Sequence, residues 1–234
     1  MLDDSALDQE LLRMTDASTD ELFPVTPFEA GSVVFPVSRL VCDVERFPSD
    51  EDEPMAARGM GVFYTRTSMG ELLRAQSNPA ARQLLLDRWY WPHHSKLERM
   101  VSDVVTELGR CSIIDCHSFS SVALPYELDQ REGRADFCIG TDAFHTPAVI
   151  RDAIVAAVKE TGYSVAIDAP FSGALVPLSC YRKDDRISSV MIEVNRRLYM
   201  NEQSGRRAPD FNQVRAAVGR LVEAVAETAP RPQD

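Results

Sequence analysis

The residues "CSIIDCHSFSS", 111–121, carry an apolar run into an acid, a thiol and an imidazole. Alternation along a strand puts Asp115 and His117 on one face. An imidazole in that setting suits metal ligation or general-base work, with nearby carboxylates orienting it. The plainer alternative is a core histidine bonded to a carbonyl. Ser118, Ser120 and Ser121 follow, and hydroxyls after an apolar strand read as the mouth of a cleft. In "SRLVCDVERF" Arg39, Asp43 and Arg46 share a strand end. A guanidinium donates two parallel hydrogen bonds to a carboxylate, so these arginines are candidates for gripping an acidic substrate. The alternative is a surface Arg–Asp pair of little energetic weight. In "MIEVNRRLYM" Glu193 interrupts an apolar strand. Burial disfavours a charged carboxyl, which suits a general acid or base; otherwise Glu193 is an edge-strand residue paired with Arg196 or Arg197. His93 and His94 in "WYWPHHSKL" point about 100° apart on a helix, which suits structural or supporting roles better than chelation of one ion. There is no phosphate loop, no Rossmann glycine fingerprint, no H-E-x-x-H and no G-x-S-x-G.

In open α/β sheets functional groups gather beyond the carboxyl ends of strands, so the elements around these clusters matter. Helical spacing covers residues 5–14, and Ser18 or Thr19 with Asp20 can cap a short turn. Residues 32–46 read as strand, turn, strand around Pro36, and "VFYTRT" as a short strand. Between them the acidic stretch 47–61 is long enough for a lid or a site wall. Residues 79–108 predict two helices, the second starting near Pro92, with Gly109 ending it. "CSIIDC", "ADFCIGT", "YSVAIDAP" and residues 188–200 read as strands, and 122–135 as loop. A helix runs from Pro147 towards Gly162, and an amphipathic one over 210–229. Strands alternating with helices, several of them apolar throughout, predict one α/β domain over residues 1–234. Its centre is a mixed, mostly parallel sheet with helices on both faces.

Hydrophobic residues make up 44% and charged residues 26% of the 234, which is ordinary for a globular chain. The net charge of −11 argues against unaided binding to nucleic acid or to an anionic membrane. An anionic small substrate stays open, because local arginines decide that. No run of about 18 apolar residues offers a membrane span. The acidic start "MLDDSALDQELLRM" lacks the basic segment and apolar core of a signal peptide. Five cysteines (Cys42, Cys111, Cys116, Cys138 and Cys180), without C-x-x-C spacing, read as reduced structural thiols of a cytoplasmic protein.

The pieces "TDASTDELF", "SRLVCDVERF", "GVFYT", "YWPHHSKL", "IIDCHSFSS", "DFCIGT", "GYSVAIDAPFSG" and "IEVNRRLYM" span about residues 15–200. In this order they resemble the N-formylglutamate amidohydrolase family. That family belongs to the wider group of zinc hydrolases built like carboxypeptidases and aspartoacylase. The resemblance implies a zinc-carboxypeptidase-like fold, a Zn2+ cofactor and a small anionic N-acyl amino acid as substrate. It matches His117 to the later zinc-binding histidine and Glu193 to the base that acts on metal-bound water. Arg46 matches the arginine that grips the substrate carboxylate, and Arg39 sits where relatives carry another arginine near the reacting carbonyl. The implied reaction turns N-formylglutamate into formate and glutamate, the last step of one histidine-degradation route.

One departure stands out. Family members begin with a strand ending in a Pro-His-Ser-Gly-like motif that supplies an early metal ligand, and here no histidine precedes His93. A catalytic zinc takes three protein ligands and one open position. Asp16, Asp20, Asp43 and Glu45 offer oxygens, but their spacing selects none of them. Three accounts follow: a start assigned too far downstream, a carboxylate in place of the histidine, or a catalytically impaired member acting as a small-acid binding or interaction protein. Loss of a first strand would also leave a neighbouring edge open to aggregation or to homodimer formation. A metal-free hydrolase using Cys116 or Ser118 beside His117 is a further class. Adjacent strand residues point to opposite faces, which places Cys116 badly for it.

Overall fold

The structure is a computed structural model that describes residues 2–24 and 31–228. Its regular elements, in chain order, are helices α1 (Asp4–Met14), α2 (Thr19–Leu22), α3 (Pro79–Leu85) and α4 (Trp91–Leu108), strands β1 (Cys111–Phe119) and β2 (Phe137–Gly140), helix α5 (Ala148–Glu160), strands β3 (Val165–Ile167) and β4 (Ile187–Asn195), and helix α6 (Phe211–Thr228). The described residues fall into two compact units. One lies within Met1–Thr15, Val33–Leu97 and Leu124–Gln130, the other within Asp16–Ser32, Glu98–Ala123 and Arg131–Asp234.

The first unit is built from helices and turns. Asp3 caps α1 by accepting the Ala6 N–H at 2.8 Å. Asn78 caps α3 in the same way. A π-helical turn, Leu86–Tyr90, joins α3 directly to α4. The helical path therefore runs unbroken from α3 into α4, and Pro92 lies just after the π-helical turn and not at a free helix start. The predicted strands over 32–46 and at "VFYTRT" do not form. The Ser38 carbonyl accepts the N–H groups of Val41 and Cys42, and the Ser38 hydroxyl accepts that of Leu40. The backbone is thus satisfied by turns. Cys42 and Val44 instead plug a cluster with Val62, Phe63, Leu86 and Tyr90. Met14, Leu40, Met60 and Tyr64 form a second one. The apolar spacing of this stretch records insertion into a core and not a pleat. Within the acidic stretch, Glu53 caps a short 3-10 helix, Pro54–Arg58.

The second unit holds a four-stranded sheet in the order β1-β4-β2-β3. The pairs β1–β4 and β2–β3 are parallel, and β2–β4 is antiparallel. The sheet is mixed and mostly parallel, as the alternation of elements predicts. Ile150, Ile154 and Val158 form the buried stripe of α5, and Val214, Val218, Leu221 and Val225 part of that of α6. β4 is buried along almost its whole length, the mark of an interior strand. All five cysteines are free thiols; Cys42, Cys111 and Cys138 are buried. Among the described residues no helix is long and apolar enough to cross a membrane.

The segment after β3 lies over the end of the sheet. The Gly173 N–H donates to the Thr141 carbonyl at 3.1 Å, and the Ser189 hydroxyl donates to the Leu175 carbonyl at 2.7 Å. A Cβ on Gly140 would come within 2.6 Å of the Gly173 carbonyl oxygen, a backbone atom that is held in place. Gly140→Ala is expected to destabilise the protein by about 1–3 kcal/mol in urea denaturation, as overpacking does.

Candidate active site

β1 and β4 run side by side with His117 and Glu193 as register partners. Register partners project from the same face of a sheet, and neighbouring strands are about 4.8 Å apart. Both residues lie in the carboxyl-terminal halves of their strands, where open α/β sheets bind ligands. In the antiparallel pairing, Cys138 is the partner of Glu193 on the other side. A row of imidazole, carboxyl and thiol thus crosses three strands. Glu193 is buried, and β4 is an interior strand, which removes the edge-strand reading. Burial pushes the Cys138 thiol up to about 11, with the Glu193 carboxylate adding to the effect. The thiol bonds to the Phe171 carbonyl at 3.2 Å. It is a neutral wall of the row at pH 7.

His117 sits between two acids of the same unit. Its Nε2 is 2.9 Å from Asp115 Oδ1, and its Nδ1 is 3.5 Å from Asp16 Oδ2. Burial favours the neutral ring, but the charge and hydrogen bond of Asp115, together with those of Asp16, outweigh it. They hold the His117 pKa well above the usual histidine range. Asp115 and His117 share a face, as strand alternation predicts. The second oxygen of Asp115 accepts the Leu175 N–H at 3.2 Å. Asp16 Oδ1 accepts the Ser118 N–H at 2.9 Å and the Ser118 hydroxyl at 3.1 Å. Arg196 is buried behind them. Its Nε donates to the Ser118 hydroxyl at 3.1 Å, and a terminal nitrogen lies 3.6 Å from Asp16. The Tyr199 hydroxyl donates to the Ala17 carbonyl, fixing the Asp16 segment.

Of the carboxylates weighed as oxygen donors, Asp16 is the one brought to His117 within the second unit. Its sequence neighbourhood, "TDASTDELF", marked the segment without selecting the residue. Arg196 enters the site through Ser118 and Asp16, while Arg197 pairs with Asp136 at 2.7 Å. An imidazole nitrogen beside carboxylate oxygens is donor chemistry that zinc and similar divalent ions accept. His117 with Asp115 offers such an ion one imidazole nitrogen and one carboxylate oxygen, while Asp16, on the opposite ring nitrogen, orients the ring.

The predicted trio Arg39, Asp43 and Arg46 assembles in the first unit, in turns and not at a strand end. Asp43 is buried and accepts hydrogen bonds from the Tyr64 hydroxyl and the Glu45 N–H. Arg46 Nε lies 3.4 Å from Asp43, and Arg46 also faces Glu53 at 3.7 Å. Burial works to raise the Asp43 pKa. The charges of Arg39 and Arg46 and the two hydrogen bonds overcome it and hold the carboxyl below its usual range. His94 has the structural role expected of it: Nε2 bonds to the Val44 carbonyl at 2.9 Å and the ring lies against Tyr90. His145, which no motif marked, is buried in the second unit. Its Nδ1 donates to the Ile187 carbonyl and its Nε2 accepts the Arg182 N–H, both at 2.8 Å.

Comparison with known proteins bears on this arrangement. A family model described as N-formylglutamate amidohydrolase matches residues 1–200. A crystal structure of N-formylglutamate amidohydrolase from Ralstonia eutropha JMP134 superposes with a TM-score of 0.76 at 20% identity, covering 94% of this chain and 85% of that one. The crystal structure of a gene product from Agrobacterium tumefaciens gives a TM-score of 0.55 at 19% identity, covering 81% and 69%. At these identities the structural likeness is one of fold. No curated protein matches the chain significantly.

The Asp43 cluster has a pH signature. An unfolded aspartate titrates near ~3.9, and the folded value is lower. The stability this group contributes is complete above the unfolded value and is lost as pH falls through the folded one. Asp43→Asn is expected to flatten the acid limb of stability against pH. At pH 7 it should cost about 3 kcal/mol, because buried guanidinium charge loses its counter-ion. Urea denaturation at pH 7 and at pH 3 checks both.

Proposed function

Because the chain belongs to the N-formylglutamate amidohydrolase family, we propose that it uses metal-activated water to hydrolyse the amide of an N-acyl amino acid. N-formylglutamate, giving formate and glutamate, is the simplest substrate. The observation that supports this most is the register match of His117 with Glu193 at the carboxyl ends of adjacent parallel strands. His117, with Asp115, would hold the divalent ion, zinc by the chemistry of the family, with Asp16 on the opposite ring nitrogen orienting the imidazole. Bound there, such an ion lowers the pKa of a coordinated water and polarises the acyl carbonyl. His117 must first give up the proton that its two acids hold on the ring, so loading is pH-dependent and releases protons.

The chain's own groups carry the remaining work. The Glu193 carboxylate takes a proton from the attacking water as the new C–O bond forms. It returns that proton to the leaving nitrogen as the C–N bond breaks, so the amine departs without a buildup of charge. Asp115 fixes the imidazole from one side and ties it to the Leu175 backbone. Arg196 fixes the Asp16 side through Ser118. Arg46, and with it Arg39, is proposed to bind the carboxylate of the substrate through the parallel hydrogen bonds of a guanidinium.

A second reading, a small-acid binding protein on the same scaffold, draws on the His117 environment. An imidazolium clamped between two acids is stable without any ion, so the scaffold can persist when chemistry is lost. Turnover separates the two. Zinc-loaded protein is expected to release formate from N-formylglutamate, and Glu193→Gln should lower kcat about 10²–10⁴-fold while metal content is unchanged. His117→Ala should lose the metal. Arg46→Ala should raise KM more than it lowers kcat. Folded, metal-loaded wild type that releases no formate would reject the hydrolase and leave the binding reading.

A further inference from the structure

A cavity of about 300 Å³ lies wholly within the first unit. Three arginines line it, Arg66, Arg74 and Arg82, against one carboxylate, Asp50. That balance is unexpected in a chain with 36 acidic and 25 basic residues. None of Arg39, Asp43 and Arg46 belongs to its lining.

Arg82 accounts for the one acid. It bonds to Asp50 at 2.9 Å and to the Pro48 carbonyl at 2.7 Å, and it lies over the Phe63 ring. Arg74 and Arg66 pair only with carbonyls. Arg74 Nε donates to the Tyr64 carbonyl at 2.7 Å, which fixes the plane of its guanidinium and leaves its two terminal nitrogens without a hydrogen-bond partner among the described residues. Arg66 donates to the Gly70 carbonyl at 3.1 Å. Arg74 is half-buried, and burial pulls its pKa down. The group that opposes this is the Cys42 thiol. Burial, with the charge of Asp43, pushes that thiol up to about 12, so it carries no charge at pH 7. A cation withdrawn from water with no counter-charge is costly, and an anion entering the cavity removes that cost.

The local backbone is arranged to bring these two side chains together. The N–H groups of Thr65 and Arg66 both donate to the Gly59 carbonyl, and those of Leu73 and Arg74 both donate to the Thr65 carbonyl. Arg66 and Leu72 form an antiparallel bridge between the two arms. Gly59 has a left-handed φ of 77°, and a Cβ there would press into Arg66 and to 2.8 Å from the Thr65 hydroxyl. Only glycine leaves room for both.

We propose that this cavity binds a small dianion, a phosphate or a compact dicarboxylate, held by the forks of Arg74 and Arg66 with Arg82 and Asp50 as its wall. Guanidinium forks match both anions bidentately. The volume is at the low end of the ~300–1,000 Å³ of small-molecule sites, which suits such an anion better than a nucleotide. The site goes beyond the proposed hydrolysis and is read out without turnover.

Isothermal titration of the full chain at constant ionic strength tests it, with sodium phosphate and with glutarate in separate runs. The expected result is a saturable site, one per chain, for at least one of them. Arg66→Ala and Arg74→Gln should each weaken it at least tenfold, and Arg88→Ala, at an exposed arginine outside the lining, should leave it intact. Arg66 is exposed, so its variant keeps the test valid should Arg74→Gln fail to fold. Binding of phosphate alone assigns a phosphate group, and binding of glutarate alone assigns a dicarboxylate. No saturable binding of either anion overturns the proposal. So does binding that Arg88→Ala abolishes and Arg66→Ala does not.

Discussion

The parallel register of β1 and β4 is the constraint on which the catalytic proposal rests. His117 faces its sheet neighbour Glu193 only in this alignment. A slip by one residue would turn one of the two to the opposite face. The alignment is secured away from the chemistry. His145 holds the Ile187 carbonyl and, through its own carbonyl, the Ser189 N–H. The hydroxyls of Ser112 and Ser188 bond across the two strands at 2.8 Å. Val190, Ile192 and Val194 are buried, so sliding β4 would cost apolar burial as well as hydrogen bonds. A histidine that no functional motif marked thus sets the geometry of the one that a motif did.

Both units solve the problem of buried charge by surrounding one sign with the other. In the second, acids at positions 16 and 115 flank an imidazole, and Arg196 balances Asp16 in turn. In the first, Arg46 and the charge of Arg39 answer Asp43. Such clusters add little net stability over an apolar core, but breaking one side of them is severe. They therefore fix side-chain positions more than they strengthen the fold. Fixed positions are what acid–base and carboxylate-binding groups require.

The sequence made the second unit largely legible. β1, β2, β3, α5 and α6 form about where periodicity, Pro147, Gly109 and Gly162 place them, because each buries a regular stripe or an apolar run; β4 ends at Asn195, and Arg196–Leu198, expected to continue the strand, form a 3-10 turn. The pairing of Asp115 with His117 was legible for the same reason, as strand alternation is a local rule. The partnership of Ser118 with Asp16 was not, because these residues are 102 positions apart, and periodicity says nothing about contacts so distant. The first unit was misread at 32–46. Its valines and cysteine insert singly into a core while serine and aspartate groups satisfy the backbone, and alternation cannot distinguish that from a strand. The family resemblance over the ordered motifs is borne out by the family match, since it drew on the joint occurrence of many short pieces and not on any single one.

β1 forms one margin of the four-stranded sheet among the described residues, and the amide of Ser118 is taken there by the Asp16 carboxylate. A side chain thus fills the seat that the first hydrogen bond of an incoming strand would need. The acid that steadies the imidazole also occupies one of the edge amides of β1. Removing that carboxylate would return this amide to the open margin, where the backbone of another strand could take it.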